Sequence, residues 1–474
     1  MDPRGEGLMA ALDELREVVG EAGCLEDTDA MAPYLRDWRG RYRSEVPMVL
    51  LPTNTGQVSA LVSICAREGI AVVPQGGNTG LCGGAVAPAD RPRVILNLGR
   101  MNRVRAVSTE GGYIIAEAGC VLADLQAAAE AVDRLFPLSL AAEGTCQIGG
   151  NLSTNAGGLN VLRYGTARRQ VLGLEVVLSD GRIWEGLRTL RKNTAGYALR
   201  DLFIGAEGTL GVITAAVLRL YPRPADIATA MLALSSPDQA LAVLDTMRRF
   251  LGEEISAFEL ISDTALRFVL DHIPDTRNPF DQHYAAYLLI ENTSATHGEA
   301  MPRLERALEE ALAGGLILDA APVTDGRRRA ALWRLRHAIP EAQRHEGVSL
   351  KHDVSLPLER IGEFLRKAGA AISAAVPGAR IVAFGHVGDG NLHYNLSQPE
   401  GGDAAVFRAL EPAVNEIVFD IVDACGGSFS AEHGVGLLRR PEMRHYLGDT
   451  ELDLMSRLKS ALDPAGIMNP GKIL

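Results

Sequence analysis

Apolar residues recur at three- and four-residue intervals from Leu8 to Val19 and from Thr55 to Glu68, which predicts two helices with one buried face each. Gly69 stands where the second should stop. Compact apolar runs follow: IAVVP (Ile70–Pro74), VILNL (Val94–Leu98) and YIIAEAG (Tyr113–Gly119) predict strands, and Leu122–Val132 predicts a return to helix. Such alternation indicates an α+β or α/β first domain. From Gly144 to Gly158 the pattern dissolves into small and polar residues, GTCQIGGNLSTNAGG. It resumes in VLGLEVVLSDGRIWEG, with Asp180-Gly181 as a hairpin turn. Two prolines in YPRPAD (Tyr221–Asp226) end the first region. The second runs to about Glu411 and mixes helices such as Pro302–Ala313 with strands such as AAYLLIEN. The last part is helical and closes in LDPAGIMNPGKIL. The expected division is 1–222, 223–411 and 412–474, with no internal repeat.

Length and charge narrow the class. A chain of 474 residues exceeds one compact core. Lys and Arg number 47 against 59 Asp and Glu; the net charge of −12 argues against a nucleic-acid or anionic-membrane surface. Six cysteines, at 24, 65, 82, 120, 146 and 425, form no CxxC pair and suit a reducing compartment. No apolar stretch approaches the ~20 residues of a membrane span. MDPRGEGLMAALDELREVVG carries acids within its apolar pattern rather than a signal-peptide run. A cytoplasmic protein is the expectation.

Three glycine-rich segments share the first domain. PQGGNTGLCGG (Pro74–Gly84) follows a strand and offers amides unobstructed by side chains, an array suited to a pyrophosphate. It is neither GxGxxG nor a Walker loop, and alone it reads equally well as an ornate surface turn. GTCQIGGNLSTNAGG and GAEGTLGVIT (Gly205–Thr214) lie downstream. The ordered set PQGGNTGL, GGNLSTNAGG, LFIGAEGTLGVIT and a late NPGK resembles the FAD domain of the vanillyl-alcohol-oxidase-type flavoproteins, in the D-lactate and D-2-hydroxyglutarate dehydrogenase branch. The likeness spans nearly the whole chain. It implies an α+β fold with a PCMH-type FAD-binding domain, an α+β substrate or cap domain, and a helical C-terminal segment completing the active site.

By that resemblance, Gly76, Gly77, Asn78, Thr79, Gly80 and Leu81, with Gly149, Gly150 and Asn151, hold the FAD pyrophosphate through main chain. Pro74, Gly144, Thr145, Thr154, Asn155, Gly158, Gly211, Ile213 and Asn469 line the rest. One departure is KNTAGY (Lys192–Tyr197), where relatives read KDNTGY. Many relatives attach FAD through a histidine, but residues 1–271 contain none. Cys82 and Cys146 are alternative attachment points, against the plainer reading of buried packing. Dissociable FAD is expected.

FGHVGDGNLHYNL (Phe384–Leu396) places two of ten histidines around a glycine turn. As a hairpin it brings His386 and His393 to adjoining strand ends, with Asn395 on the His393 face. SAEHGVG (Ser430–Gly436) adds Glu432 and His433. Two His and one Glu leave an open position on a divalent metal, as catalysis requires. Taken singly, these histidines read better as turn caps or as core residues satisfied by hydrogen bonds. The resemblance implies that His386, His393 and Glu432 bind the metal and that His433 is the general base. The mixed N/O set suits Zn²⁺ best, then Mn²⁺, Co²⁺ or Fe²⁺.

In LWRLRHAIPEAQRHEGVSLKHDVSLP (Leu332–Pro357) most charges read as a solvated helix face, Arg334 and Arg344 included. The resemblance implies that Arg336 and Lys351 anchor substrate carboxylate, with Asn395 beside them. Pro340 stands where dicarboxylate-specific relatives carry threonine. The implied reaction is oxidation of a D-2-hydroxy acid to the 2-oxo acid. D-2-hydroxyglutarate leads because there are two basic anchors; D-lactate and D-malate follow. The expected acceptor is an electron-transfer flavoprotein or a quinone, and the expected assembly a homodimer. Two other classes stay open: a metal-dependent hydrolase, and a non-catalytic flavin-binding subunit.

Overall fold

The computed structural model describes residues 3–87 and 91–474 and separates into two units. The first gathers Met1–Gly157, Gly165–Pro222 and Glu432–Leu474; the second gathers Gly158–Tyr164 and Arg223–Ala431. The break after Pro222 falls where expected; the limit at 411 and the unbroken run of the first segment do not hold. Helix Glu411–Ala424 packs on Ile361–Ala375, which keeps 412–431 in the second unit. The short helix Val161–Tyr164 packs on strand Ile255–Ser262, which takes Gly158–Tyr164 with it.

In the first unit, strands Val49–Leu50, Arg93–Asn97 and Ala71–Gln75 lie parallel, with Cys24–Leu25 antiparallel at one edge. Helix Thr55–Glu68 covers them with Val58, Leu61, Val62 and Cys65. The Asn54 side chain accepts from the Gln57 amide at its start, and Gly69 ends it in left-handed backbone. Each fully buried aliphatic chain of this kind contributes about 1.5–3 kcal/mol. A second, antiparallel sheet has the order Val104–Ser108, Tyr113–Glu117, Val212–Arg219, Val171–Val177, Ile183–Gly186. Its last pair is the hairpin turning at Asp180-Gly181. The segment Gly144–Gly158 is not all loop: Ile148–Ser153 is helical, with Ile148 and Leu152 in the core.

The second unit is built on one antiparallel sheet in the order Asp319–Val323, Asp226–Leu234, Ala286–Ser294, Ile255–Ser262, Arg380–Gly385, Asn391–Ser397, Ser349–Leu350. Asp353–Ser355 also pairs with Asn391–Ser397. Helices Asp263–His272, Gly326–His337 and Ile339–His345 close one face over a core that includes Ile261, Val382, Phe384, Leu335 and Ile339. Pro340 lies in the first turn of Ile339–His345, where its missing amide costs no helical bond, and it separates that helix from the one bearing Arg336.

Candidate active site

Two sites arise, one in each unit. In the first, Gln75 ends a buried strand and pins the chain before it turns: its Nε2 donates to Tyr34 O (2.9 Å) and Ala85 O (3.0 Å). Asn97 Nδ2 donates to Gly76 O (2.9 Å), and Asn78, at φ 52°, donates to Arg36 O (2.8 Å). Among the described residues, none of the six amides from Gly76 to Leu81 donates to a protein acceptor. Such a run of unspent donors forms an anion-binding nest.

The glycines divide by what surrounds them. A Cβ on Gly77 would stand 2.2 Å from Thr145 O, and one on Gly149 would stand 2.7 Å from the Ala118 Cβ. These two let backbones touch. At Gly80, Gly144 and Gly150 a Cβ would meet nothing within 4 Å, so they border open space. Three buried acceptors, Gln147 Oε1, Asn151 Oδ1 and Asn469 Oδ1, have no protein partner among the described residues. A cofactor carrying a diphosphate and several O–H and N–H donors fits this set.

The remaining expected cofactor residues serve partly as frame. Gly208 would press a Cβ to 3.1 Å from Pro74. The Thr145 amide donates to Ala142 O (2.9 Å), and Thr154 Oγ1 donates to Gly150 O (3.2 Å). Asn155, at φ 50°, accepts from the Arg168 amide (3.0 Å). Gly211 has no room for a Cβ beside Val176, and the Ile213 side chain lies in the core. Asn469 Nδ2 donates to Gly84 O (3.0 Å) and Glu207 O (2.7 Å). Gly158 belongs to the second unit.

The second site occupies one sheet face. Register aligns Ile261, Phe384, His393 and Asp353 across four strands, and period two adds Glu259, Asn391 and Asn395. Glu259 is wholly buried between a histidine and an arginine. His386 Nδ1 donates to its Oε1 (2.7 Å), and Arg336 Nε donates to its Oε2 (2.7 Å). Burial alone would raise the Glu259 carboxyl; His386 and Arg336 outweigh it and hold the pKa at about 2. The bond leaves His386 Nε2 as its outward nitrogen, the usual support for a metal-binding imidazole. Arg336 stacks over Phe384 (4.8 Å), and its terminal nitrogens have no protein partner among the described residues.

Asp353 accepts from Asn391 Nδ2 (2.8 Å), lies 3.7 Å from His393 Nδ1, and accepts from the Ala431 amide (3.3 Å). Glu432 and His433 follow Ala431 directly and open the last segment of the first unit. Asn395 Nδ2 donates to Gln343 Oε1 (2.9 Å). Lys351 is half-buried in the link between Ser349–Leu350 and Asp353–Ser355. The neighbouring His352 engages both ring nitrogens, with Tyr394 O and Asn415 Oδ1. The glycine turn has a steric purpose: Gly390, at φ 93°, packs so closely that a Cβ would stand 2.3 Å from Leu356 O. His386, His393, Asn395 and Arg336 thus fall on one face, with Asp353 as a further carboxylate. A nitrogen and carboxylate set of this kind could hold a divalent ion.

Comparison with known proteins decides the family. Residues 223–473 match the family described as FAD linked oxidases, C-terminal domain, and 46–186 match the FAD binding domain family. The chain is 40% identical to the mitochondrial D-2-hydroxyglutarate dehydrogenase of Danio rerio, over 95% of this chain and 82% of that protein. It is 37% identical to the Arabidopsis thaliana protein of the same name, over 97% and 80%. It is 36% identical to D-2-hydroxyglutarate dehydrogenase of Stutzerimonas stutzeri, over 98% of each chain.

The chain belongs to the FAD-linked D-2-hydroxyacid dehydrogenases.

As a member of that family it is an FAD-dependent enzyme oxidising D-2-hydroxy acids, which sets aside the hydrolase and the non-catalytic subunit. The fold agrees: p-cresol methylhydroxylase, solved with substrate bound, superimposes with a TM-score of 0.78 at 17% identity, over 99% of this chain and 97% of that one. The cytoplasmic expectation is overturned, because the relatives from Arabidopsis thaliana, Danio rerio, Bos taurus and Rattus norvegicus are named mitochondrial. Free thiols report a reducing environment rather than a compartment. No helix among the described residues is long and apolar enough to cross a membrane.

Sequence reasoning missed Glu259, Asp353, Asn391 and Gln343. Glu259 had a signal, a lone acid inside the apolar strand ISAFELIS. Asp353 had one too, in KHDVSLP, but its proximity to His393 depends on register.

Proposed function

We propose that this dehydrogenase oxidises D-2-hydroxyglutarate with the help of a divalent metal, Zn²⁺ or Mn²⁺, held by His386, His393 and Glu432. The supporting observation is the shared anion: Glu259 fixes a histidine with one nitrogen outward and an arginine with its terminal fork unspent. A planar guanidinium so oriented accepts a carboxylate in two hydrogen bonds. Lys351 supplies a second cation for the distal carboxylate of a diacid, and the D-2-hydroxyglutarate dehydrogenases among the relatives agree with that choice. Asp353, tied to the Ala431 amide one residue before Glu432, supports the carboxylate side of the metal site.

The chemistry FAD supplies when bound is acceptance of the Cα hydride, and that of the divalent ion is Lewis acidity toward the hydroxyl oxygen. Arg336 and Lys351 orient the two carboxylates, and Asn395, clamped by Gln343, borders them. His433 takes the hydroxyl proton at its imidazole. FAD is held without a covalent link: residues 1–271 lack histidine, and burial raises the Cys146 thiol away from its nucleophilic form. An external electron-transfer flavoprotein or quinone takes the electrons, and the assembly is a homodimer.

Anaerobic addition of D-2-hydroxyglutarate, D-lactate and D-malate, before and after chelation, tests the reading through flavin absorbance. D-2-hydroxyglutarate bleaches the flavin fastest, a chelator stops it, and zinc or manganese restores it. His433→Ala slows bleaching about 10²–10⁴-fold while keeping its flavin. Bleaching that survives complete metal removal, or an unimpaired His433→Ala, contradicts the corresponding assignment.

A further inference from the structure

Glu207, in GAEGTLG, has no place in the chemistry above. It is 9% exposed and sits in left-handed backbone at φ 49°, an uncommon conformation for a residue with a long side chain. Neighbours impose it. Its amide donates to Ser153 O (2.8 Å) in helix Ile148–Ser153, and its carbonyl accepts from Asn469 Nδ2, which also donates to Gly84 O. Gly208, the next residue, rests on Pro74. The backbone of Glu207 is thereby locked to both glycine segments that form the cofactor nest.

Its side chain faces a third segment. Oε1 accepts from the Val435 amide (2.7 Å) and Oε2 from the Gly436 amide (2.8 Å). Both amides belong to the loop that begins with Glu432 and His433. On its other side, Gly436 lies so close to Cys82 that a Cβ would stand 2.2 Å from Cys82 O. The Leu437 and Leu438 amides donate to that same oxygen (2.8 and 3.1 Å). Burial pushes the Glu207 carboxyl upward, against the two amides and Lys472, which favour its anion.

We infer that Glu207 is a positioning residue for the dehydrogenase reaction: its two oxygens fix the Glu432–Gly436 loop, and through it the His433 imidazole, to the framework of the glycine nest. The inference rests on His433 as the base. Glutamine is the informative replacement. It keeps the shape but turns an NH₂ toward one of the two amides, so one bond is lost and two donors oppose each other. Loosening of this kind does not remove the imidazole; it misplaces it, and a 1 Å misplacement costs about 10²-fold.

The test measures anaerobic flavin bleaching in Glu207→Gln, His433→Ala and the double variant, recording flavin content for each. The substrate is whichever of D-2-hydroxyglutarate, D-lactate and D-malate bleaches the wild type. Glu207→Gln keeps its flavin and its half-saturating substrate concentration, bleaches about 10–100-fold more slowly, and adds no slowing in the His433→Ala background. Equal slowing in both backgrounds, or none in either, overturns the inference. Failure of the base assignment is visible separately, as an unimpaired His433→Ala. Should Glu207→Gln lose its flavin, hydrogen exchange in the wild-type holoenzyme decides. Protected Val435 and Gly436 amides support the clamp, and exchange as fast as in an open loop overturns it.

Discussion

The glycine nest of the first unit and the histidine face of the second present their polar groups by opposite means. In the nest the contacts on offer are main-chain amides from Gly76 to Leu81, made available by removing side chains. On the sheet face they are ionisable side chains, Glu259, His386, Arg336, Asp353 and His393, aimed by strand register. A long cofactor that stays bound can be held by backbone, whose positions tolerate little variation. A small acid that must be oriented and released is better met by charges whose desolvation is already compensated within the protein. The difference teaches where each region is vulnerable: the nest to added atoms, the face to lost charge.

The comparison predicts three graded outcomes. The largest follows Glu259→Gln, which leaves a buried arginine and histidine without their anion. Loss of one partner from such a pair costs about 3–5 kcal/mol, read as a fall in the denaturation midpoint together with slow flavin bleaching. A midpoint near wild type would mean that the face does not depend on this charge.

Next come two alanines in the nest. Gly77→Ala, with its Cβ 2.2 Å from Thr145 O, lowers both apoprotein stability and flavin content. Gly80→Ala, facing open space, leaves apoprotein stability within about 0.5 kcal/mol yet weakens FAD binding. Titration of apoprotein with FAD distinguishes them, and normal affinity in Gly80→Ala would break the account of the nest.

The smallest effect belongs to Glu346, a paired charge that caps helix Ile339–His345 and, among the described residues, bonds to none of Glu259, His386 and His393. It pairs with Arg380 at the start of the strand that ends beside His386, and with His272 (2.5 Å). Arg380 opens this strand and lies opposite Ser397, at the end away from His386. Burial would raise the Glu346 carboxyl, but His272 and Arg380 lower it overall. A lowered carboxyl stabilises the fold above the ordinary carboxylate range and loses that contribution as acid protonates it. Glu346→Gln therefore flattens the acid side of the stability profile by ~1 kcal/mol or less and leaves bleaching intact. A slowed reaction would show that charge in this unit is not separable by position.

Much of this was legible in the chain. Helix Thr55–Glu68 and the hairpin at Asp180-Gly181 have the bounds that periodicity predicts, because one buried face dictates each. The glycine segments and the two histidines announced themselves by residue type. What was hidden depends on contacts distant in sequence. Glu259 meets His386 across 127 residues, and no local pattern encodes that. Helix Ile148–Ser153 has no periodic signature because glycine depresses helix propensity, whereas Ile148 and Leu152 bury into the core and override it. The placement of 412–431 failed for the same reason: helix Glu411–Ala424 is assigned by its packing partner, not its composition.

The first unit is assembled from three separated stretches, and the last of them contributes structure, not decoration. The Val72 amide donates to Ile467 O (2.8 Å) and the Asn469 amide to Val72 O (2.8 Å), so residues beyond 460 extend a sheet begun at Cys24–Leu25. During synthesis, a ribosome releases the opening strands of this unit hundreds of residues before their final neighbour exists, while the second unit can finish in between. The nascent chain therefore carries an open sheet edge at Ala71–Gln75 for most of its translation, until Ile467–Asn469 emerge to pair with it.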